Sequence, residues 1–250
     1  MRAKFCLPGL VALVSTLFAI PALASPSSGA IHKALSPALR SASNVVLDPD
    51  RHPAPVLAFV DIQPGDTIAD FSAGAGYYSE PMATLTGPTG KVIAQVSPRF
   101  FMAEQWDAIR AVHPNITMLV EVDDDARFAP DSLNILFAHL VFHDLFLPDV
   151  TGQPHHDAKA VIANWFAAIK SGGHVVIVDH VAGAGNVTEV AGRLHRINPL
   201  AARAAMEAAG FVFESESPAL RHSRDTHQLP FFAPGLRSGT DRFIYKFRKP

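Results

Sequence analysis

Asp70 closes a short run of strand-forming residues, Thr67 to Phe71, and glycines follow it four and six positions later at Gly74 and Gly76. Glycine at such places lets the chain turn sharply and bring its backbone against a ligand, while free N–H groups at the start of the next helix aim at the same spot. Asp70 is placed either to order that loop or to meet a cationic group of the ligand, and Tyr77 opens the helical run that follows. A dinucleotide-binding loop carries a third glycine three residues after the second, and here Ser79 takes that position. The plainer alternative is that the glycines only make a tight strand-to-helix turn.

A second group of chemically capable residues lies further on. His139, His143 and Asp144 follow one expected strand, and Asp179 and His180 end the next. Ligands of an open parallel sheet bind beyond the carboxyl ends of its strands, so all five are expected to face one crevice. Histidine titrates near neutrality, which suits His143, or Asp144 beside it, to take a proton from a substrate hydroxyl or amine. The competing reading has His143 capping a helix or holding a loop. A metal set is a further reading, with His139 and His143 on one face if a helix forms and His155, His156 and Asp157 close behind. Against it, no His-Glu-x-x-His pattern is present, and His155-His156 lies beside Gly152 and Pro154, as a solvated loop would. His195 and Arg196 either reach the substrate or belong to a loop in which the arginine pairs with an acid. Arg221, His222, Arg224, Asp225 and His227 with Phe231-Phe232 suit a lid over a small substrate, and a mobile loop has the same composition.

These residues must be positioned by alternating strands and helices. Strands are predicted over 67–71, 91–96, 115–122, 133–137, 174–178, 211–215 and 242–247, and helices over 77–85, 99–112, 157–170 and 199–209. Val161, Ile162, Trp165, Phe166 and Ile169 repeat at the spacing of one helical face, whereas His174 to Val178 is the apolar run of a strand inside a parallel sheet. Asn198 and Pro199 form a helix start, and Gly210 closes that helix. The alternation implies an α/β domain with a mostly parallel sheet and helices on both faces. The irregular stretch 218–240 is long enough to be functional or disordered.

Of the 250 residues, 48 % are hydrophobic and 18 % charged, an ordinary globular mixture. A formal charge of −2 and a pI near 6.6 argue against nucleic acid as a partner. Arg2 and Lys4 precede an apolar segment that ends in Ala22-Leu23-Ala24, the pattern of a signal peptide cleaved after Ala24 for export, in a bacterium to the periplasm. Pro8 and Pro21 interrupt that segment, and it falls short of the roughly 20 residues a membrane span needs, so no stable span is expected after cleavage. Cleavage removes two cations and no acid, taking the charge from −2 to −4, and it removes Cys6, the only cysteine. The mature chain therefore has no disulfide, thiolate catalysis or Cys-ligated metal. Residues 25–50 read as a leader or linker, and 51–250 as a single domain.

Pro64-Gly65-Asp66-Thr67-Ile68-Ala69-Asp70 followed by Gly74-Ala75-Gly76-Tyr77-Tyr78 resembles the class I S-adenosylmethionine-dependent methyltransferases, and within them a group of predicted bacterial methyltransferases with export signals. Gly87 to Val92, His143-Asp144, Gly172 to Asp179, Leu194 to Ile197, Glu207 to Phe211 and Asp241-Arg242-Phe243 carry the likeness across about residues 50–250. The resemblance implies a single Rossmann-like domain with a seven-stranded sheet, S-adenosylmethionine as cofactor and a small-molecule acceptor. It implies that Asp70, Gly74, Gly76 and Tyr77 hold the methionine part, with His139 beside them. An acid at the end of the second strand usually binds the ribose; Gln95 stands near that place and brings no charge. Asp124, within Asp123-Asp124-Asp125, is implied near the adenine, or else lies in a solvated turn. A binding protein that keeps this fold without the chemistry, and a metal-dependent hydrolase using the His and Asp cluster, are the alternative functions.

Overall fold

The computed structural model describes residues 26–236 and 239–250, so the expected signal peptide and its cleavage after Ala24 lie outside the described residues. Seven strands form one sheet: β1 (Thr67–Phe71), β2 (Lys91–Val96), β3 (Ile116–Val120), β4 (Leu133–His139), β5 (Ile169–His180), β6 (Val212–Ser217) and β7 (Arg242–Arg248). Their order is β3-β2-β1-β4-β5-β7-β6. β1 to β5 pair in parallel, and β7 runs antiparallel to both β5 and β6. The order reverses between β1 and β4, which leaves a crevice beyond their carboxyl ends.

The helices are α1 (Ser28–Ala34), α2 (Ala42–Val45), α3 (Asp48–Arg51), α4 (Pro53–Val60), α5 (Ser79–Thr86), α6 (Ala103–Val112), α7 (Ala158–Ala168), α8 (Val187–Leu194) and α9 (Pro199–Ala208). Successive strand residues point to opposite faces, and two cores result. Ile68, Ile135 and Phe137 pack with Val56, Leu57, Met82 and Trp106 from α4, α5 and α6. Ala69, Leu136 and Ala138 pack with Val161, Trp165 and Met206 from α7 and α9. Burial of apolar side chains on both faces explains why the central strands read as continuous apolar runs.

Three departures from the sequence reading bear on the site. First, the stretch 25–50 is no linker: from Ser28 onward it folds into α1 to α3 and is tied to the domain. Glu80, buried in α5, accepts hydrogen bonds from Ser41 N (2.7 Å), Ser41 Oγ (2.6 Å) and Asn44 Nδ2 (2.8 Å). Asp48 accepts from Arg40 and from the Tyr77 hydroxyl (2.6 Å). Second, the 77–85 helix begins only at Ser79, because Ala73 to Tyr78 makes the turn around the cleft. Third, β5 starts at Ile169, where a helix end was expected. Leu133 pairs with Ile169 but Ile135 pairs with His174, so residues 170–173 bulge out of the ladder. Gly173 allows this because a Cβ there would lie 2.7 Å from the Asn134 carbonyl oxygen. Among the described residues no helix is long and apolar enough to cross a membrane.

Candidate functional site

The loop after β1 forms one wall of a cleft of about 290 Å³ at the carboxyl ends of β1 and β4. Gly74 has φ +55°, and a Cβ built on it would meet nothing within 4 Å, so its open side faces the cleft. Gly76 has φ +78°, and its Cβ would lie 2.9 Å from Ile109 Cδ1 and 3.0 Å from the Trp106 ring. The first glycine leaves room for a ligand, and the second lets the loop press onto α6. Tyr77 also lines the cleft, and the guanidinium groups of Arg40 (5.1 Å) and Arg51 (4.4 Å) lie over its ring.

Asp70 lies at the floor, 3 % exposed, accepting a 2.5 Å hydrogen bond from Ser79 Oγ. Burial pushes its carboxyl up to about 7, against the opposing pull of Ser79 and the Arg51 charge. A buried acid with so weak a counter-charge is suited to a cationic ligand group.

Three residues that line the same cleft, Tyr78, His139 and His180, hold buried polar atoms with no hydrogen-bond partner: the Tyr78 hydroxyl, His139 Nε2 and His180 Nδ1. Buried polar atoms are rarely left unpaired, so these three, unpaired among the described residues, are available to a ligand or to water in the cleft. Burial, reinforced by nearby cations, holds both histidines well below their ordinary range, leaving each a neutral imidazole. Phe231 stacks on His180 at 4.7 Å and closes the far wall, and Asn44 and Arg51 line the near side. Of these, Tyr78, Asn44 and Arg51 carried no site assignment in the sequence, whereas Phe231 was expected as part of a lid; only the glycine loop pointed toward Tyr78.

Gln95 stands near the end of β2, as the resemblance implied, but its amide is turned inward. It is fully buried, its Oε1 accepts from Ser72 N (2.7 Å), and its Nε2 donates to the Glu121 carbonyl (2.7 Å) and to Asp123 (3.1 Å). Both ends of the fully buried amide join the glycine loop to the turn after β3, so it braces the loop. Asp124 accepts instead from His156 Nδ1 at 3.0 Å and does not line the cleft.

His143 and Asp144 stand on a 3-10 turn beyond β4, whereas His139 is the last residue of β4. The two histidines therefore share no helix face, and the metal set expected from their spacing does not assemble. His143 is held on both nitrogens, with Nδ1 2.8 Å from Asp179 Oδ1 and Nε2 3.2 Å from Asp144 Oδ1, and its backbone N–H donates to Asp179 Oδ2. Burial alone pushes its pKa down, but the Asp179 charge and the hydrogen bonds to both carboxylates outweigh this and raise it to about 10. An imidazolium locked between two acids is a poor proton acceptor at neutral pH, which corrects the reading of His143 as the base.

Arg196 settles its own alternatives. Its buried guanidinium reaches Asp225 (2.7 and 3.3 Å), the Leu229 carbonyl (2.8 Å) and the Val181 carbonyl (3.0 Å), so it fastens the 218–240 loop and does not enter the cleft. Asp241, gripped by Arg221 and His227, gives the loop a second anchor. His155 and His156 face each other at 4.5 Å in the segment between the 3-10 turn and α7.

No family model matches the sequence, and no curated protein matches it. Solved structures do. A SAM-dependent methyltransferase from Aquifex aeolicus is similar with a TM-score of 0.56 and 17 % identity, over 88 % of this chain and 97 % of its own. An S-adenosylmethionine-dependent methyltransferase from Mesorhizobium loti gives 0.55 and 16 %, over 80 % and 98 %. The cyclase SpnF gives 0.57 and 15 %, over 80 % of each chain. At such identities the likeness is one of fold, and a cyclase among the neighbours warns that fold alone does not name a reaction. With its strand order, its antiparallel β7 and its cleft in place, the chain has the seven-stranded fold of the S-adenosylmethionine-dependent methyltransferases.

Proposed function

We propose that the chain binds S-adenosylmethionine in the cleft at the carboxyl ends of β1 and β4 and transfers its methyl group to a small acceptor. The observation that carries this reading is Gly74, whose open side faces a cleft floored by the buried Asp70. Asp70 would hold the ammonium of the methionine part, and Gly74 and Ala75 would lie against its chain. Tyr78 and His139 offer unpaired polar atoms to the same ligand. When bound, the cofactor supplies an electrophilic methyl group. The neutral His180 imidazole, with its unpaired Nδ1, accepts a hydrogen bond from the acceptor and orients its nucleophilic atom. Phe231, stacked on His180, excludes water. Catalysis of this kind is mainly positioning. Export, supported by the Arg2 to Ala24 pattern, is part of the proposal.

Gln95 favours a second reading, because its amide is spent inside the protein and the usual ribose contact is missing. Under that reading the chain binds a related ligand without turning it over. Calorimetric titration with S-adenosylmethionine and S-adenosylhomocysteine tests the first reading. Binding of both, lost in Gly74→Leu while the thermal transition persists, supports it; binding of neither sinks it. Binding without formation of S-adenosylhomocysteine, across panels of hydroxyl, amine and thiol acceptors, transfers support to the second.

A further inference from the structure

Beside the cleft, and used by neither reading above, His143, Asp144 and His195 converge from two distant parts of the chain. We infer that they form a binding site for a divalent transition-metal cation of the zinc class. One ligand atom from each residue, two imidazole nitrogens and a carboxylate oxygen, lies within 4.8 Å of the others. His143 Nε2 and Asp144 Oδ1 are 3.2 Å apart, close to the separation of about 3.4 Å that two ligands take around a tetrahedral zinc. Two histidines and one carboxylate are a catalytic-type donor set, which leaves at least one coordination position for water or substrate. Magnesium and calcium prefer oxygen ligands throughout and fit it less well.

Two further observations point the same way. Asp179, fully buried at the end of β5, receives His143 Nδ1 at 2.8 Å and so directs Nε2 at the cluster, the carboxylate–histidine arrangement that stands behind metal-bound imidazoles. His195, the left-handed residue that caps α8 (φ 48°, ψ 55°), brings its ring to 5.7 Å from that of His143. Among the described residues its ring has no hydrogen-bond partner, whereas Phe231 and Phe232 wall it on the outside at 6.1 and 5.5 Å. Asp144 and the buried Asp179 together balance a doubly charged cation, and the proton on His143 Nε2 leaves to solvent as the metal arrives.

The test uses the mature protein after treatment with a chelator, titrated with Zn²⁺ by calorimetry and with Co²⁺ by visible absorption. One equivalent of each is expected, with Co²⁺ showing the intense bands of a four- or five-coordinate site. His195→Gln and Asp144→Asn, both at partly exposed positions, are expected to weaken binding about tenfold or more, and Asp179→Asn, acting through His143, by about 10–100-fold. A His155→Ala/His156→Ala double variant is expected to leave the affinity unchanged. Absence of a stoichiometric site, or loss of binding in the double variant with retention in His195→Gln, overturns the proposal. Because the readout is metal and not methyl transfer, it stands or falls apart from the function proposed above.

Discussion

Replacing Asp70 by Asn separates what the buried carboxyl costs from what it does. Its pKa rises from 3.8 to about 7, chiefly through burial. The native state therefore holds the Asp70 proton more tightly than the unfolded chain does. The stabilising contribution is complete below about pH 4 and disappears as pH rises to about 7, after which it stays flat. Roughly three pH units at 1.36 kcal/mol each make the ionised group about 4 kcal/mol dearer to bury than in the unfolded chain. Asn has nearly the same shape and still accepts the Ser79 hydroxyl, but its amide must turn to the cleft, which offsets about 1 kcal/mol. Asp70→Asn should thus be more stable than the wild type by about 3 kcal/mol at pH 8 and close to it at pH 4. At about 2–4 °C per kcal/mol, the Tm gap at pH 8 is about 6–12 °C. Thermal unfolding from pH 4 to 9 measures it, and calorimetry with S-adenosylhomocysteine at pH 8 should show weaker binding by the more stable variant. A gap that does not change with pH, or a wild type more stable at pH 8, would refute the account of Asp70 as an uncompensated buried charge.

Other perturbations probe the remaining parts of the site. Gly74→Ala should cost about 1–2 kcal/mol for its left-handed backbone alone, whereas Gly76→Ala should cost about 1–3 kcal/mol more because its Cβ meets Ile109 and Trp106; urea denaturation compares the two. Arg196→Met leaves Asp225 buried without its guanidinium, so a loss of about 3–5 kcal/mol is expected, with new protease cleavage between residues 218 and 240. His143, raised to about 10, contributes stability that is complete below about pH 6.5 and lost as pH rises through about 10; Asp179→Asn should reduce that slope in alkaline unfolding curves, leaving the part due to Asp144. Deleting residues 26–50 strips Glu80 of three donors and Tyr77 of Asp48, so the truncated protein should unfold at lower urea and bind S-adenosylhomocysteine more weakly.

The legible parts of the sequence are those whose signals are local. β1 and β2 have the predicted bounds because Pro64-Gly65 and Gly87 to Gly90 punctuate apolar runs on either side, and α9 begins at Pro199 with Asn198 accepting from Leu200 N as its cap. Contacts between distant residues were not legible. The four-residue helices α2 and α3 have too few turns for a periodic pattern, and long-range hydrogen bonds to Glu80 and Tyr77 hold them in place. The state of His143 depends on Asp179, 36 residues away. Gln95 occupies the expected position at the end of β2, yet nothing near it in sequence announces that Ser72 and Glu121 consume its amide.

Tyr77 joins these two kinds of structure. Gly76 turns the chain so that the tyrosine leaves the loop and enters a clamp made by Arg40, Asp48 and Arg51, all from the segment that precedes the first strand. Arg51 thereby becomes both a wall of the cleft and a restraint on Asp70, whose pKa its charge lowers. Docking of the N-terminal helices and ordering of the glycine loop are coupled through these contacts, and the free energy that either lends the other is reciprocal. A cleft built only from the β1 loop would be open on that side. The helices close it, and they do so by gripping the residue next to the glycine that makes the loop possible.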